Sequence, residues 1–220
     1  MPNVTVRLSF INGSILAKIH RIEQKHDDFA GTGISIDWDS YINDATTKCP
    51  EIYNALKDNR KLLYEALEKG NLALKRVLNV AVISNGDMDI KNVLWVKDKP
   101  KIIDLECLKY GNPYIELFQL ALHWSGYDNH NIDYNLLKTF LQAYINDCGE
   151  FYDDWEELYH CNFGMLEWLE YNIKRALMIE CNNEDEMLLG IEQVHSTMKN
   201  ILYYSSVKDR LIKMFNRAAL

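Results

Sequence analysis

The hydrophobic pattern of this chain changes period once and then changes back, which limits what it can fold into. Val80-Ala81-Val82-Ile83, Val93-Leu94-Trp95-Val96 and Lys101-Ile102-Ile103-Asp104 are short β-branched runs, and Lys97-Asp98-Lys99-Pro100 joins the last two as a hairpin. Before and after this block the apolar residues recur at helical spacing. The pattern predicts a predominantly helical α+β protein with one small β-hairpin.

The helical parts can be drawn from their boundary residues. Ser14 to His26 carries Ile15, Leu16, Ile19 and Ile22 close to one stripe, with Ser14 as N-cap and His20 as a structural histidine among core positions. Residues 27–50 are polar, contain Gly31 and Gly33, and read as a long loop. Pro50 then opens a helix through Leu56, Leu63 and Leu67 to Gly70, and a short helix follows around Leu72 to Leu78. After Gly111-Asn112-Pro113, with Asn112 as N-cap, helices are expected at about 114–125, 133–148, 152–180 and 186–215, the third breaking near Gly164. No repeat, low-complexity segment or linker divides the chain, so 1–220 reads as a single domain.

Composition narrows the class. With 48% hydrophobic and 25% charged residues the chain can bury an ample core, and a net charge of -8 argues against general nucleic-acid affinity. It shows neither a membrane-length apolar run nor a leader pattern, and a cytoplasmic protein is expected. Five cysteines without Cys-x-x-Cys spacing read as buried reduced thiols rather than a zinc site or a disulfide set.

The chemistry concentrates in the loop from Ser84 to Trp95 and in the segment Ile102-Ile103-Asp104-Leu105-Glu106. Asp87 and Asn92 lie five apart in the loop, and Asp104 ends the next strand. Phosphoryl transfer needs a carboxylate to accept the proton of the attacking hydroxyl and oxygen ligands that fix magnesium on the triphosphate. Asp87 suits the first task. Asn92 and Asp104 suit the second, since an amide and a carboxylate supply hard oxygens and leave positions for phosphate and water. The plainer reading makes Asp87 and Asn92 turn residues and Asp104 a strand end, but the composite order, Asp-x4-Asn followed by strand, turn, strand and Asp, favours chemistry.

These residues resemble the aminoglycoside phosphotransferase and choline kinase family. Its catalytic loop, His-Gly-Asp-Leu-x-x-x-Asn, is matched by Asn85-Gly86-Asp87-Met88-Asp89-Ile90-Lys91-Asn92, and its metal segment, Ile-Asp-Trp-Glu, by Ile103-Asp104-Leu105-Glu106. Tyr110-Gly111-Asn112-Pro113 with Glu116-Leu117 resembles the family's glycine-proline turn and acidic helix start, and Leu16-Ala17-Lys18-Ile19-His20 resembles its Leu-Ala-x-x-His helix. The resemblance runs over about residues 10–180 and implies a protein-kinase-like C-terminal lobe. It also implies Asp87 as catalytic base, Asn92 and Asp104 as ligands of Mg2+ and of ATP or GTP, and a small, cationic hydroxyl substrate whose binding residues it does not name.

Two departures stand out. Asn85 replaces the family's loop histidine, and only about a dozen residues precede the Leu16–His20 match, where the family has a nucleotide-covering lobe of about one hundred residues. Gly31-Thr32-Gly33 is no substitute: it lacks a third glycine and a following Val-Ala-x-Lys strand, and reads as a surface turn. The first lobe is therefore expected from elsewhere, as a separate partner, or not at all.

Two further groups of residues bear on substrate. Glu150, Asp153, Asp154, Glu156, Glu157, Glu167, Glu170, Glu180, Glu184, Asp185 and Glu186 form either a solvated face or an acidic wall for a cationic molecule. Trp124, Tyr127, Trp155, Tyr159, Phe163, Trp168 and Tyr171 read mostly as core, with two or three available for an ammonium cage. The leading expectation is an ATP-dependent small-molecule phosphotransferase acting on an alcohol group. The alternatives are a non-catalytic binding module derived from such a lobe, and a metal-dependent hydrolase using Asp87 and Asp104.

Overall fold

Helix α1, Val6–His20, begins about two and a half turns earlier than the sequence pattern suggests, because Thr5 and not Ser14 caps it, its hydroxyl accepting from the Leu8 N–H at 3.3 Å. Ser14 instead lies mid-helix and donates to the Asp147 carboxylate. The computed structural model describes residues 4–26, 33–97, 99–148, 152, 154–162, 164–179, 181 and 183–217. In chain order α1 is followed by β1 Gln24–His26, α2 Trp38–Lys48, α3 Pro50–Lys57, α4 Arg60–Leu74, β2 Val80–Ser84, β3 Val93–Val96, β4 Lys99–Ile102, β5 Lys109–Gly111, α5 Pro113–His123, α6 Tyr134–Cys148, α7 Trp155–Cys161, α8 Gly164–Ala176 and α9 Glu184–Arg217. The protein is mostly helical, as its pattern predicts, and its short strands pair antiparallel.

The chain divides into two compact units. The first comprises residues 1–31, 77–158 and 213–220. In it α1 packs closely along α6: a Cβ on Gly13 would fall 2.2 Å from the Phe140 carbonyl oxygen, so only glycine permits this approach. Ser9 donates to the Leu136 carbonyl at 2.8 Å, and Arg21 to that of Asp147 at 2.9 Å.

Two separate sheets lie in this unit. The Val80 run does not join the hairpin; β2 is the centre of a three-stranded antiparallel sheet ordered β1-β2-β5, with Val82 opposite both Gln24 and Gly111. Strands β3 and β4 form the hairpin by themselves, Val93 opposite Ile102 and Val96 opposite Lys99. The second strand therefore runs two residues ahead of the expected one. Pro100 lies within it opposite Trp95, and a two-stranded ribbon leaves room for a residue without an N–H. Ile103 and Asp104 lie past the strand, Asp104 at a φ of 60°.

The second unit comprises residues 32–76 and 159–212. Part of the expected loop 27–50 is helix here: Asp37 caps α2 by accepting from Ser40 N at 3.1 Å, and Trp38, Ile42 and Ala45 are buried. Residues 27–32, with Gly31 and Thr32 of the Gly31-Thr32-Gly33 turn, lie outside the described residues. The helix from Pro50 breaks at Asp58-Asn59, and Gly70 is buried inside α4 rather than ending it. No short helix follows at 72–78 because α4 itself extends to Leu74. The core joins Ile36, Trp38, Ile52, Leu56 and Leu63 to Leu169, Ile173, Val194 and Ile201. The expected break near Gly164 falls between α7 and α8.

The other expectations meet mixed outcomes. Trp124, Tyr127, Trp155 and Tyr159 are core residues, whereas Trp168 and Tyr171 are about half exposed and stack at 5.4 Å; Phe163 lies outside the described residues. Of the acidic residues, Glu150, Asp153 and Glu180 lie outside the described set; Asp154, Glu156, Glu167, Glu184, Asp185 and Glu186 are exposed, and Glu170 accepts from the Tyr41 hydroxyl at 2.8 Å. The five cysteines form no disulfide with one another, but only Cys49, Cys161 and Cys181 are buried, and Cys107 is exposed. Among the described residues no helix is long and apolar enough to cross a membrane.

Candidate active site

Strand β2 delivers the loop that follows it onto a buried polar network. Gly86 turns the chain at a φ of +74°, and a Cβ there would approach the Cys107 carbonyl oxygen to 3.0 Å, so both conformation and space call for glycine. Its N–H donates to Glu116 Oε1 at 2.8 Å. Glu116 Oε2 lies 2.8 Å from His20 Nε2, and the other ring nitrogen of His20 lies 2.9 Å from the Tyr144 hydroxyl. Burial pushes the Glu116 carboxyl up, but the hydrogen bond and charge of His20, the Ser84 hydroxyl and the Gly86 N–H outweigh it and hold the group below its ordinary value. His20 is thus the satisfied structural histidine its position suggests, with both nitrogens engaged.

Asn85, where the loop resemblance has a histidine, is buried beside Asp87. Its Oδ1 accepts from the Asp87 N–H at 3.2 Å, while its Nδ2, in a residue only 1% exposed, has no partner among the described residues. On the far side of the loop, the Trp124 indole N–H donates to the Met88 carbonyl at 3.0 Å, and Met88 itself is fully buried. The loop is held at both ends.

Asp87 and Asn92 meet directly. Asn92 Nδ2 donates to the Asp87 carbonyl at 2.9 Å and to Asp87 Oδ2 at 2.8 Å, which turns the amide oxygen of Asn92 away from Asp87 as a free acceptor position. Lys91 Nζ lies 3.8 Å from the same Asp87 oxygen. The backbone then joins the third residue: the Ile103 N–H donates to the Asn92 carbonyl at 2.9 Å, so the exposed Asp104 follows immediately after a residue bonded to Asn92. An amide oxygen and a carboxylate are the kind of donors that a hard divalent cation accepts. Among the described residues no group of three or more His, Cys, Asp and Glu side chains converges as a metal cluster.

One further group escaped the sequence reading. His123 Nδ1, at the end of α5, lies 2.9 Å from Asp128 Oδ2, and its charge is felt by Asp89 and Asp87 in the loop. Burial alone would lower the His123 value, but the hydrogen bond to Asp128 and then the charges of Asp128, Asp89 and Asp87 raise it. Asp89 is pushed up mainly by burial, against the attraction of His123. The available signal was weak: a histidine in the last helical turn with an aspartate five residues on.

Comparison with known proteins now bears on this site. The sequence pattern of the phosphotransferase enzyme family matches residues 3–160. No curated protein matches the chain in sequence. Among solved structures, a spectinomycin phosphotransferase in complex with ADP and spectinomycin is similar at 12% identity and a TM-score of 0.62, over 93% of this chain and 67% of that one. An ethanolamine kinase from Plasmodium vivax is similar at 15% identity and a TM-score of 0.50, over 88% of this chain and 59% of that one. Likeness at this identity establishes the fold, which is the kinase-like one the loop resemblance implied, and the chain spans about three fifths to two thirds of the length of these proteins. With the family pattern covering most of its length and the polar loop in place, the chain belongs to the phosphotransferase enzyme family.

Proposed function

We propose that this chain is the helical lobe of an ATP-dependent phosphotransferase that acts on a hydroxyl of a small, cationic molecule. The observation that carries this reading is the double hydrogen bond from Asn92 to Asp87, and the backbone bond from Ile103, the neighbour of Asp104, to Asn92 supports it. Asp87 accepts the proton of the attacking hydroxyl, its carboxylate oriented by Asn92 and kept partly solvated at 27% exposure. Asn92, through its amide oxygen, and Asp104 would hold Mg2+ and with it the phosphates of ATP or GTP. When bound, the ion neutralises charge on the transferred phosphoryl group. Glu116 and Trp124 keep the loop in the conformation that presents Asp87.

A nucleotide-covering lobe belongs to the same proposal as a partner. Leu94 and Val96, on one face of β3 by strand alternation and each about half exposed, offer it an apolar contact. The test is Asp87→Ala in whatever assembly turns over ATP: the rate should fall on the order of a hundredfold or more with unfolding nearly unchanged. An unchanged rate would remove Asp87 as the base.

A further inference from the structure

A cavity of about 300 Å³, open on one side, lies in the first unit where α1, β2, α5 and α6 come together. Val80 and Val82, two apart on β2 and so on one face of it, line it with Pro113 at the start of α5. Tyr144 and Cys148, one turn apart on α6, line it too. Of the lining residues Arg21 is exposed and Cys148 half-buried, while the others are buried, so these two mark the opening.

Inside, the Tyr144 hydroxyl lies 2.9 Å from His20 Nδ1, with the two rings edge to face at 5.5 Å. His20 continues to Glu116 and Glu116 to the Gly86 N–H, so a hydrogen-bonded chain runs from the cavity to the residue before Asp87. Burial first, then the charge and hydrogen bond of Cys148 and the charges of Tyr114 and Glu116, push the Tyr144 hydroxyl up and keep it protonated. At the opening Arg21 donates to the Asp147 carbonyl at 2.9 Å. The two carboxylates nearest this contact in the chain, those of Asp147 and Glu23, are engaged by the hydroxyls of Ser14 and Tyr110.

Charge and size select the ligand. An anion would be drawn to Arg21 but opposed by Asp147, by Glu23 and, beyond the Tyr144–His20 pair, by Glu116. An ammonium would meet Arg21 at the opening and find no carboxylate among the lining residues, and an unpaired charge among valines and proline is costly. An uncharged hydroxyl escapes both penalties, because it accepts from Arg21 and donates to the Cys148 sulfur. A dry apolar cavity of about 150 Å³ admits benzene, so about 300 Å³ admits two fused rings. We propose that this cavity is a binding site for an uncharged alcohol of two fused rings, with the rings against Val80, Val82 and Pro113 and the hydroxyl between Arg21 and Cys148. Its occupancy is felt at the Gly86 amide through Tyr144, His20 and Glu116.

The experiment is a protein-observed NMR titration of the whole chain with three indoles that differ in charge: tryptophol, indole-3-acetate and tryptamine. Tryptophol should give saturable shifts at Arg21, Val82 and Cys148, with the Gly86 amide following the same curve, and both charged analogues should bind at least about tenfold more weakly. A second measurement uses the thiols. Tryptophol at ten times its Kd should slow alkylation of Cys148 by iodoacetamide about tenfold, read by mass spectrometry, and leave the exposed Cys107 unchanged. Cys148→Trp, which puts an indole into the opening, should abolish the shifts while the rest of the spectrum stays in place. Absence of saturable binding up to about 5 mM tryptophol overturns the proposal. So does a charged analogue that binds as tightly, a Gly86 amide that stays still, or a Cys148 no better protected than Cys107. If Cys148→Trp does not fold, the charge series and the thiol protection on the unaltered chain decide.

Discussion

The two units of this chain are built on opposite principles. Nine of the eleven buried polar side chains among the described residues lie in the first unit, among them His20, Ser84, Asn85, Asn92, Asn112 and Glu116, and only Asn172 and Thr197 lie in the second. The second unit instead joins aliphatic side chains of α2, α3, α4, α8 and α9 into one apolar cluster. Buried polar groups specify one arrangement because each unmet partner is costly, whereas an aliphatic core accepts any filling of the right volume. The contrast teaches that buried polar specificity in this protein is concentrated around the loop holding Asp87, while apolar burial is shared by both units.

The largest effect should come from a cavity in the apolar cluster of the second unit. Leu63 is fully buried, and Leu63→Ala should cost about 2–5 kcal/mol by urea denaturation, while Leu63→Met should cost less than about 1.5 kcal/mol. A similar cost for both substitutions would break the contrast. In the first unit Glu116→Gln keeps the volume but loses the charge facing His20, and should cost about 1–3 kcal/mol and lower turnover of the active assembly. If the conservative change there is silent, the polar network is only packing.

Acid should sharpen the same comparison. The Glu116 carboxyl sits below its ordinary value of 4.5, so its contribution is complete above that pH and is lost as the pH falls through the lower folded value. Melting temperatures should drop below about pH 4.5, and Glu116→Gln should flatten that drop. The smallest effect should be at His123, which is raised above 6.5: its contribution is present below that pH and fades as the pH rises through the folded value. Asp128→Asn should lower the His123 titration midpoint read by NMR. No change would remove Asp128 as its partner.

What could be read from the sequence follows the range of the interactions. Asn112 and Pro113 mark the start of α5, and the Asn112 side chain does accept from Tyr114 N at 3.0 Å and Ile115 N at 3.2 Å; both signals are local. The Asp87–Asn92 spacing is likewise local and was legible. By contrast β1 and β5 are three residues each and owe their existence to β2, which lies 58 residues from one partner and 29 from the other along Gln24↔Val82↔Gly111. No propensity announces such strands. Helix α2 was hidden by its polar surface, since only Trp38, Ile42 and Ala45 reach the core. The bond from Glu116 to Gly86 spans 30 residues, so an acidic helix start was visible while its purpose was not.

The indole of Trp124 has a consequence for observation. It is 1% exposed and bonded to the Met88 carbonyl, one residue beyond Asp87. Indole emission responds to the loss of such a bond and to the entry of water, so with the other four tryptophans replaced by phenylalanine the fluorescence of Trp124 becomes an optical gauge of the loop. A native side chain thus becomes, once those four are replaced, a spectroscopic reporter beside the residue proposed to start the reaction.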